Sequence, residues 1–218
     1  MSNIITLQNI HNSISEPRFQ GFLSNSSEDV EKALELYIWN CRLCEALYTS
    51  LHVLEVTLRN KFHTKIQEKY GDKWYDKGIL IDRDLARIQE VKKQLSDQKK
   101  PHNSGDIIAS LNMGFWLGLL GGKYETKLWR PCLYYSFPNS GKPFKRKDAF
   151  NKLFSIKNLR NRIAHHEPIY NKPCDKVYKD LLEVMGWMCK DTETWLNKNS
   201  RFDEVYFQKP SFYEVIKK

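Results

Sequence analysis

The stretch EDVEKALELYIWNCRLCEALYTSLHVLEVTLRNKFHTKIQEKY, Glu28 to Tyr70, contains no Pro and no Gly, and Gly71 follows it as a stop signal. Within it Leu47, Leu51, Leu54, Leu58 and Phe62 recur at three- and four-residue spacings. At about 100° per residue they share one helical face, which predicts burial. Beside that face Tyr48, His52, Glu55, Arg59 and His63 fall on a polar sector, and Glu55 and Arg59, four apart, are spaced to pair. The sector reads either as a solvated face or as the lining of a polar groove. Ser26, three residues before Asp29, is placed to cap the first turn.

Working outward, the first 25 or so residues read as an extended arm, because Pro17 and Gly21 interrupt any helical run and Ser24 to Ser27 are polar. Beyond Gly71, Asp72 to Gly105 is polar and lysine-rich, with a short helix from Asp84 to about Gln98 and a loop around Pro101 and Gly105. Asp106 to Leu120 reads as one apolar helix, in which Gly114 and Gly118 suggest the close approach of a neighbour. Gly121, Gly122 and Lys123 do not form a phosphate loop, since Leu117 stands where its first glycine belongs and Tyr124 where Ser or Thr is required. Trp129 to Lys142, with Pro131, Pro138 and Gly141, reads as a loop region. Lys145 to His166 is helical through Phe150, Leu153, Phe154, Ile156, Leu159 and Ile163, and Pro168 ends it. A last helix is expected from Asp175 to about Asn197, apolar at Val177, Leu181, Leu182, Met185 and Trp187. With no alternating strands and no solenoid repeat, the fold class is all-α. The expected organisation is an arm (1–27), one all-α domain (28–200) and a tail (201–218).

Composition sets the class of partner. The 218 residues carry 35 Lys and Arg against 26 Asp and Glu, a net charge of +9, and 41% are hydrophobic, which excludes a disordered polyelectrolyte. No stretch approaches the roughly 20 apolar residues that span a bilayer, and the start lacks a signal-peptide pattern, so a cytoplasmic location without a membrane partner is expected. Five cysteines, an odd number, fit reduced thiols. Cys41-x-x-Cys44 has no second pair at metal-site spacing and reads as buried packing, and Trp116, Trp187 and Trp195 read as core. His165, His166 and Cys174 do not converge on a helix, and neither a metal nor a cofactor is expected.

The charge is concentrated. Between Lys142 and Arg162 stand eight Lys or Arg and one acid, Asp148. Lys145, Arg146, Lys147, Lys152 and Lys157 are suited to RNA phosphates, with Arg162 and His166 as further contacts. At the helix end lies Leu159-Arg160-Asn161-Arg162-Ile163-Ala164-His165-His166-Glu167-Pro168. Arg presents a permanent planar fork of donors to a phosphate, and His exchanges a proton near neutral pH. RNA cleavage without a metal needs a base for the 2′-hydroxyl, a cation for the phosphorane and an acid for the leaving oxygen. Arg160 and His165, five apart, diverge by about 140°, whereas Asn161 and His165 share a face. Two copies around a two-fold axis near the helix end would supply two His and two Arg to one cleft. The same residues also suit a plain helix-end cap paired with acids.

The segment LRNRIAHHEPIYN, Leu159 to Asn171, resembles the signature of the Abi-like (abortive infection) family, whose domain belongs to the HEPN superfamily of helical ribonucleases. SEPRFQGFL (Ser15 to Leu23), LYIWNCRLCEALYTSLHVLEVTLRN (Leu36 to Asn60) and LNMGFWLGLL (Leu111 to Leu120) resemble it too, in the family's order. The resemblance implies a HEPN-like helical bundle that dimerises through its motif helices and cuts RNA without a metal as a toxic anti-phage effector, in some relatives restrained by a small RNA. It assigns the scissile phosphate to Arg160 and the proton to His165, with Asn161 orienting one of them. Glu55 and Arg59 are added as groove neighbours. Toxins of the superfamily silenced by nucleotide modification carry a Tyr two residues after the motif His; Glu167 stands there, so that regulation is not expected. The competing reading is a non-catalytic RNA-binding module of the same fold, acting through a small RNA or a partner.

Overall fold

In a computed structural model of the chain, residues 9, 10, 12–99 and 103–213 are described. Parts of the expected arm and tail, and Pro101 of the expected loop, lie outside them. The elements are helices α1 (Glu16–Ser24), α2 (Val30–Tyr70), α3 (Asp82–Asp97), α4 (Ser104–Ser110), α5 (Met113–Gly118), α6 (Arg146–Ala164), α7 (Cys174–Met188), α8 (Lys190–Asn199) and α9 (Phe202–Phe207). Short 3-10 or π turns cover Trp74–Asp76, Gly122–Tyr124, Glu125–Trp129 and Leu133–Ser136. No strand occurs among the described residues, so the protein is all-α. None of the described helices is long and apolar enough to cross a membrane.

The deciding stretch is one helix. It starts at Val30, later than expected, because Ser27 and Glu28 adopt positive φ (54° and 60°) and Asp29 supplies the cap, its Oδ1 accepting from the Lys32 amide at 3.2 Å. The Ser26 hydroxyl is buried without a partner and caps nothing. At the other end Gly71 takes φ 87° and its amide donates to Gln67 at 2.8 Å.

Contacts divide the chain into two compact units, one of residues 1–49, 161–175 and 200–218, the other of 50–160 and 176–199. The first unit overturns the expected arm. α1 forms because Pro17 lies in the first turn, where its missing N–H would have no helical acceptor. Phe19, Phe22 and Leu23 on it are buried, and Phe22 packs on Tyr170 with ring centroids 4.9 Å apart. Trp39 on α2 donates to the Val205 carbonyl at 2.9 Å, which fixes α9.

The expected stripe is buried throughout: Leu47 in the first unit, and Leu51, Leu54, Leu58 and Phe62 in the second, together with Trp74, Trp116, Leu153 and Ile156. Each such side chain contributes about 1.5–3 kcal/mol by leaving water. Two expected helices are broken here. Asn112 caps a new start by accepting from the Phe115 amide at 3.0 Å, so Asp106 to Leu120 becomes α4 and α5. The last helix stops at Met188 and restarts at Lys190, which leaves Trp195 55% exposed and Trp187 half-buried, not in the core. The presumed loop after Trp129 carries a 3-10 turn and buries Cys132, Leu133 and Phe137. Cys41 is exposed and Cys44 half-buried, so the pair is not the buried packing expected of it. Burial, with Cys41 adding to it, pushes the Cys44 thiol up to about 12.

Candidate functional site at the end of the basic helix

α6 turns Ala149, Leu153, Ile156 and Leu159 inward, and its charges divide by what they meet. Arg146 is mostly buried: it pairs with Glu125 at 2.7 Å and donates to the Leu120 carbonyl. Lys152 is held by Asp180 and by Glu183, the latter at 2.9 Å. Both cations are used within the fold. Lys145 and Lys147 are exposed, and Lys157 lies over the Phe154 ring at 5.7 Å. The Lys145 backbone amide donates to Asp148 at 2.8 Å, which satisfies the helix start.

Arg160 is the last residue of the second unit and pairs there with Glu55, Nε to Oε2 at 3.3 Å. The other carboxylate oxygen of Glu55 accepts from the Met113 amide at 3.0 Å, so the same side chain caps α5. The expected Glu55–Arg59 pair is not made. Arg59 donates to the Ala109 carbonyl at 3.2 Å, in the last turn of α4, where a cation is favoured. Of the polar sector, His63 accepts from the Trp74 indole at 3.0 Å, and burial lowers its pKa. It is a packing residue. Tyr48 is 64% exposed.

Asn161 opens the stretch that belongs to the first unit. Its carbonyl accepts from the His165 amide at 2.9 Å, after which the Glu167 amide reaches back to Arg162 O at 2.8 Å and the His166 amide to Ile163 O at 3.0 Å. That pattern is the Schellman closure, with His166 at φ 56° in the place glycine usually takes. His165 and His166 are both exposed. The loop beyond them is tied down. Arg162 donates to the Pro168 carbonyl through Nε (3.2 Å) and Nη2 (2.9 Å) and pairs with Glu167 at 2.9 Å. Buried Asn40 on α2 accepts the amides of Ile169 (2.8 Å) and Tyr170 (3.0 Å), and the Tyr170 hydroxyl donates to Gly21 O at 2.9 Å.

Sequence reading did not single out Asn40, Glu167 or Tyr170 as supports of the motif. A lone polar residue among the apolar positions of α2 was the available signal for Asn40, and nothing local marks its partners. No group of three His, Cys, Asp or Glu among the described residues is arranged to hold a metal ion. Burial pushes the Cys174 thiol up to about 12, so it stays protonated beside this loop. What the helix end offers chemically is an exposed imidazole on a braced turn, an amide side chain one turn earlier and a guanidinium shared with one carboxylate. Compared with known proteins, the chain matches no family model, no curated protein and no solved structure.

Proposed function

We propose that the chain is a metal-independent endoribonuclease of the Abi-like, HEPN-type kind, an anti-phage effector working in the cytoplasm, with Arg160, Asn161 and His165 as its motif. The observation that carries the reading is His165, exposed at the end of the most basic helix in a turn braced by Arg162, Asn40 and Tyr170. An imidazole so placed meets a polyanion without a lid to move. The chemistry balances without a cofactor. A base takes the 2′-hydroxyl proton, O2′ bonds to phosphorus as the bond to O5′ breaks, and an acid protonates O5′, leaving a 2′,3′-cyclic phosphate and a 5′-hydroxyl. Base and acid are the His165 imidazoles of two copies, and Arg160 carries the phosphorane charge.

The test compares the chain with His165→Ala on total RNA in EDTA. Cleavage by the parent with those end groups, reduced about 100-fold or more in the variant, is expected. Cleavage that needs a divalent metal, or that His165→Ala retains, overturns the reading.

One observation favours the alternative, an RNA-binding module without cleavage. Arg160 is paired with Glu55, which offsets the charge a phosphorane would require. That module predicts intact RNA in both samples with equal affinity.

A further inference from the structure

Helices α3, α5 and α6 enclose an open groove of about 690 Å³, all of it within the unit of residues 50–160 and 176–199. Its α6 wall is aromatic. Phe150 and Phe154 stack with ring centroids 5.8 Å apart and planes 16° from parallel, and Phe154 is 46% exposed. Lys157 holds its ammonium 5.7 Å from the centre of the Phe154 ring. Positions 147, 150, 154 and 157 follow a three-four-three spacing, so Lys147, exposed, and Lys157, half-buried, flank the two rings on one side of the helix. On the opposite wall Arg83 pairs with Asp84 yet stays 72% exposed. Gly118 gives it room, since a Cβ there would stand 3.2 Å from Arg83 Nη2.

We propose that this strip is a binding track for single-stranded RNA, with a base stacked on Phe154 and the neighbouring phosphates on Lys147 and Lys157, leading to Arg160. The inference rests on the ribonuclease reading for its destination and on the groove for its ligand. Aromatic faces between cations are the usual platform for an unpaired strand, because every base has a π-face and every linkage a charge. A base can displace the Lys157 ammonium from the ring, since stacking exceeds an exposed cation–π contact, and the ammonium then meets phosphate. Lys147 to Arg160 spans about 20 Å of helix, room for a few nucleotides. A duplex hides the faces that Phe154 would need. A second copy laid on the strip around a two-fold would set lysine against lysine, in a segment with eight Lys or Arg and one acid.

The test measures fluorescence anisotropy of a fluorescein-labelled oligouridylate, and of the same strand annealed to oligoadenylate, with His165→Ala as parent so that the RNA stays whole. Adding Phe154→Ala, an exposed change checked by circular dichroism, is expected to lose about tenfold in affinity for the single strand, and Phe154→Trp to keep it. Lys157→Gln is expected to weaken binding and to flatten the slope of log K against log salt by about 0.7. Phe154→Ala binding within twofold of the parent, or duplex bound as tightly as the single strand, overturns the track. If Phe154→Ala alters only the sedimenting mass, the strip is a contact between copies and the proposal falls. A chain that never cuts RNA but whose oligouridylate binding depends on Phe154 loses the nuclease reading and keeps the track. A chain that cuts equally well with Phe154→Ala does the reverse.

Discussion

His166 sits at φ 56°, where a residue with a Cβ is strained and glycine is at ease. Replacing it separates the backbone's preference from the side chain's use. His166→Gly is expected to stabilise the protein by about 0.5–1 kcal/mol, relief of strain exceeding the added freedom of the unfolded chain. Urea denaturation measures it, and a variant less stable than the parent would show that the imidazole contributes more than its conformation costs. Glu55 is the second informative residue. Its two oxygens serve different masters, Arg160 and the Met113 amide, so the motif arginine is positioned by the same carboxylate that starts α5. From local spacing Glu55 and Arg59 made an adequate pair; the contact made instead spans over a hundred residues of chain, which no i, i+4 rule can see.

At the scale of the element, α6 uses its charges twice. Its mid-section is clamped by Lys152 on Asp180, a carboxylate whose side chain is only 8% exposed. Burial raises the Asp180 pKa, but the hydrogen bonds from Lys152 and Lys176 outweigh it, and the carboxyl lies below the usual aspartate range. The unfolded chain therefore takes up this proton more readily. The stabilisation is complete above the unfolded value of about 4 and is lost as the pH falls through the lower folded value. Lys152→Met is expected to cost about 1–3 kcal/mol at pH 7 and much less near pH 3, read from urea melts at the two values. A cost that does not shrink with acid would mean that Lys152 acts by packing against Trp187, whose ring lies 5.9 Å from its ammonium. Helix limits teach the same lesson. Gly71 ended α2 as read, because a left-handed cap is a local requirement, whereas Asn112 divided an apolar run whose composition favoured continuity.

At the scale of the molecule, the proposed chemistry requires two copies. On an ideal helix Arg160 and His165 stand about 140° apart, so one copy does not bring both to one phosphate. Sedimentation equilibrium is expected to give twice the 25.9 kDa chain mass at micromolar concentration. A monomer that still cuts RNA would remove the composite site from the reading while leaving the nuclease.

What the sequence determined by itself is what short-range chemistry decides: an all-α chain, the long uninterrupted helix and its buried leucine stripe, and the basic helix with two histidines at its end. Apolar periodicity and glycine stops act within a turn or two, so they are legible without a fold. What only the tertiary structure decided is which charges remain available. Arg146, Lys152 and Arg162 read as RNA contacts by type, yet each is spent on an acid or a carbonyl brought to it by folding. Phe154 belongs to the apolar periodicity that marks the helix, yet it is left at the rim of a groove. Burial and pairing depend on neighbours distant in the chain, and those become neighbours only when the helices pack.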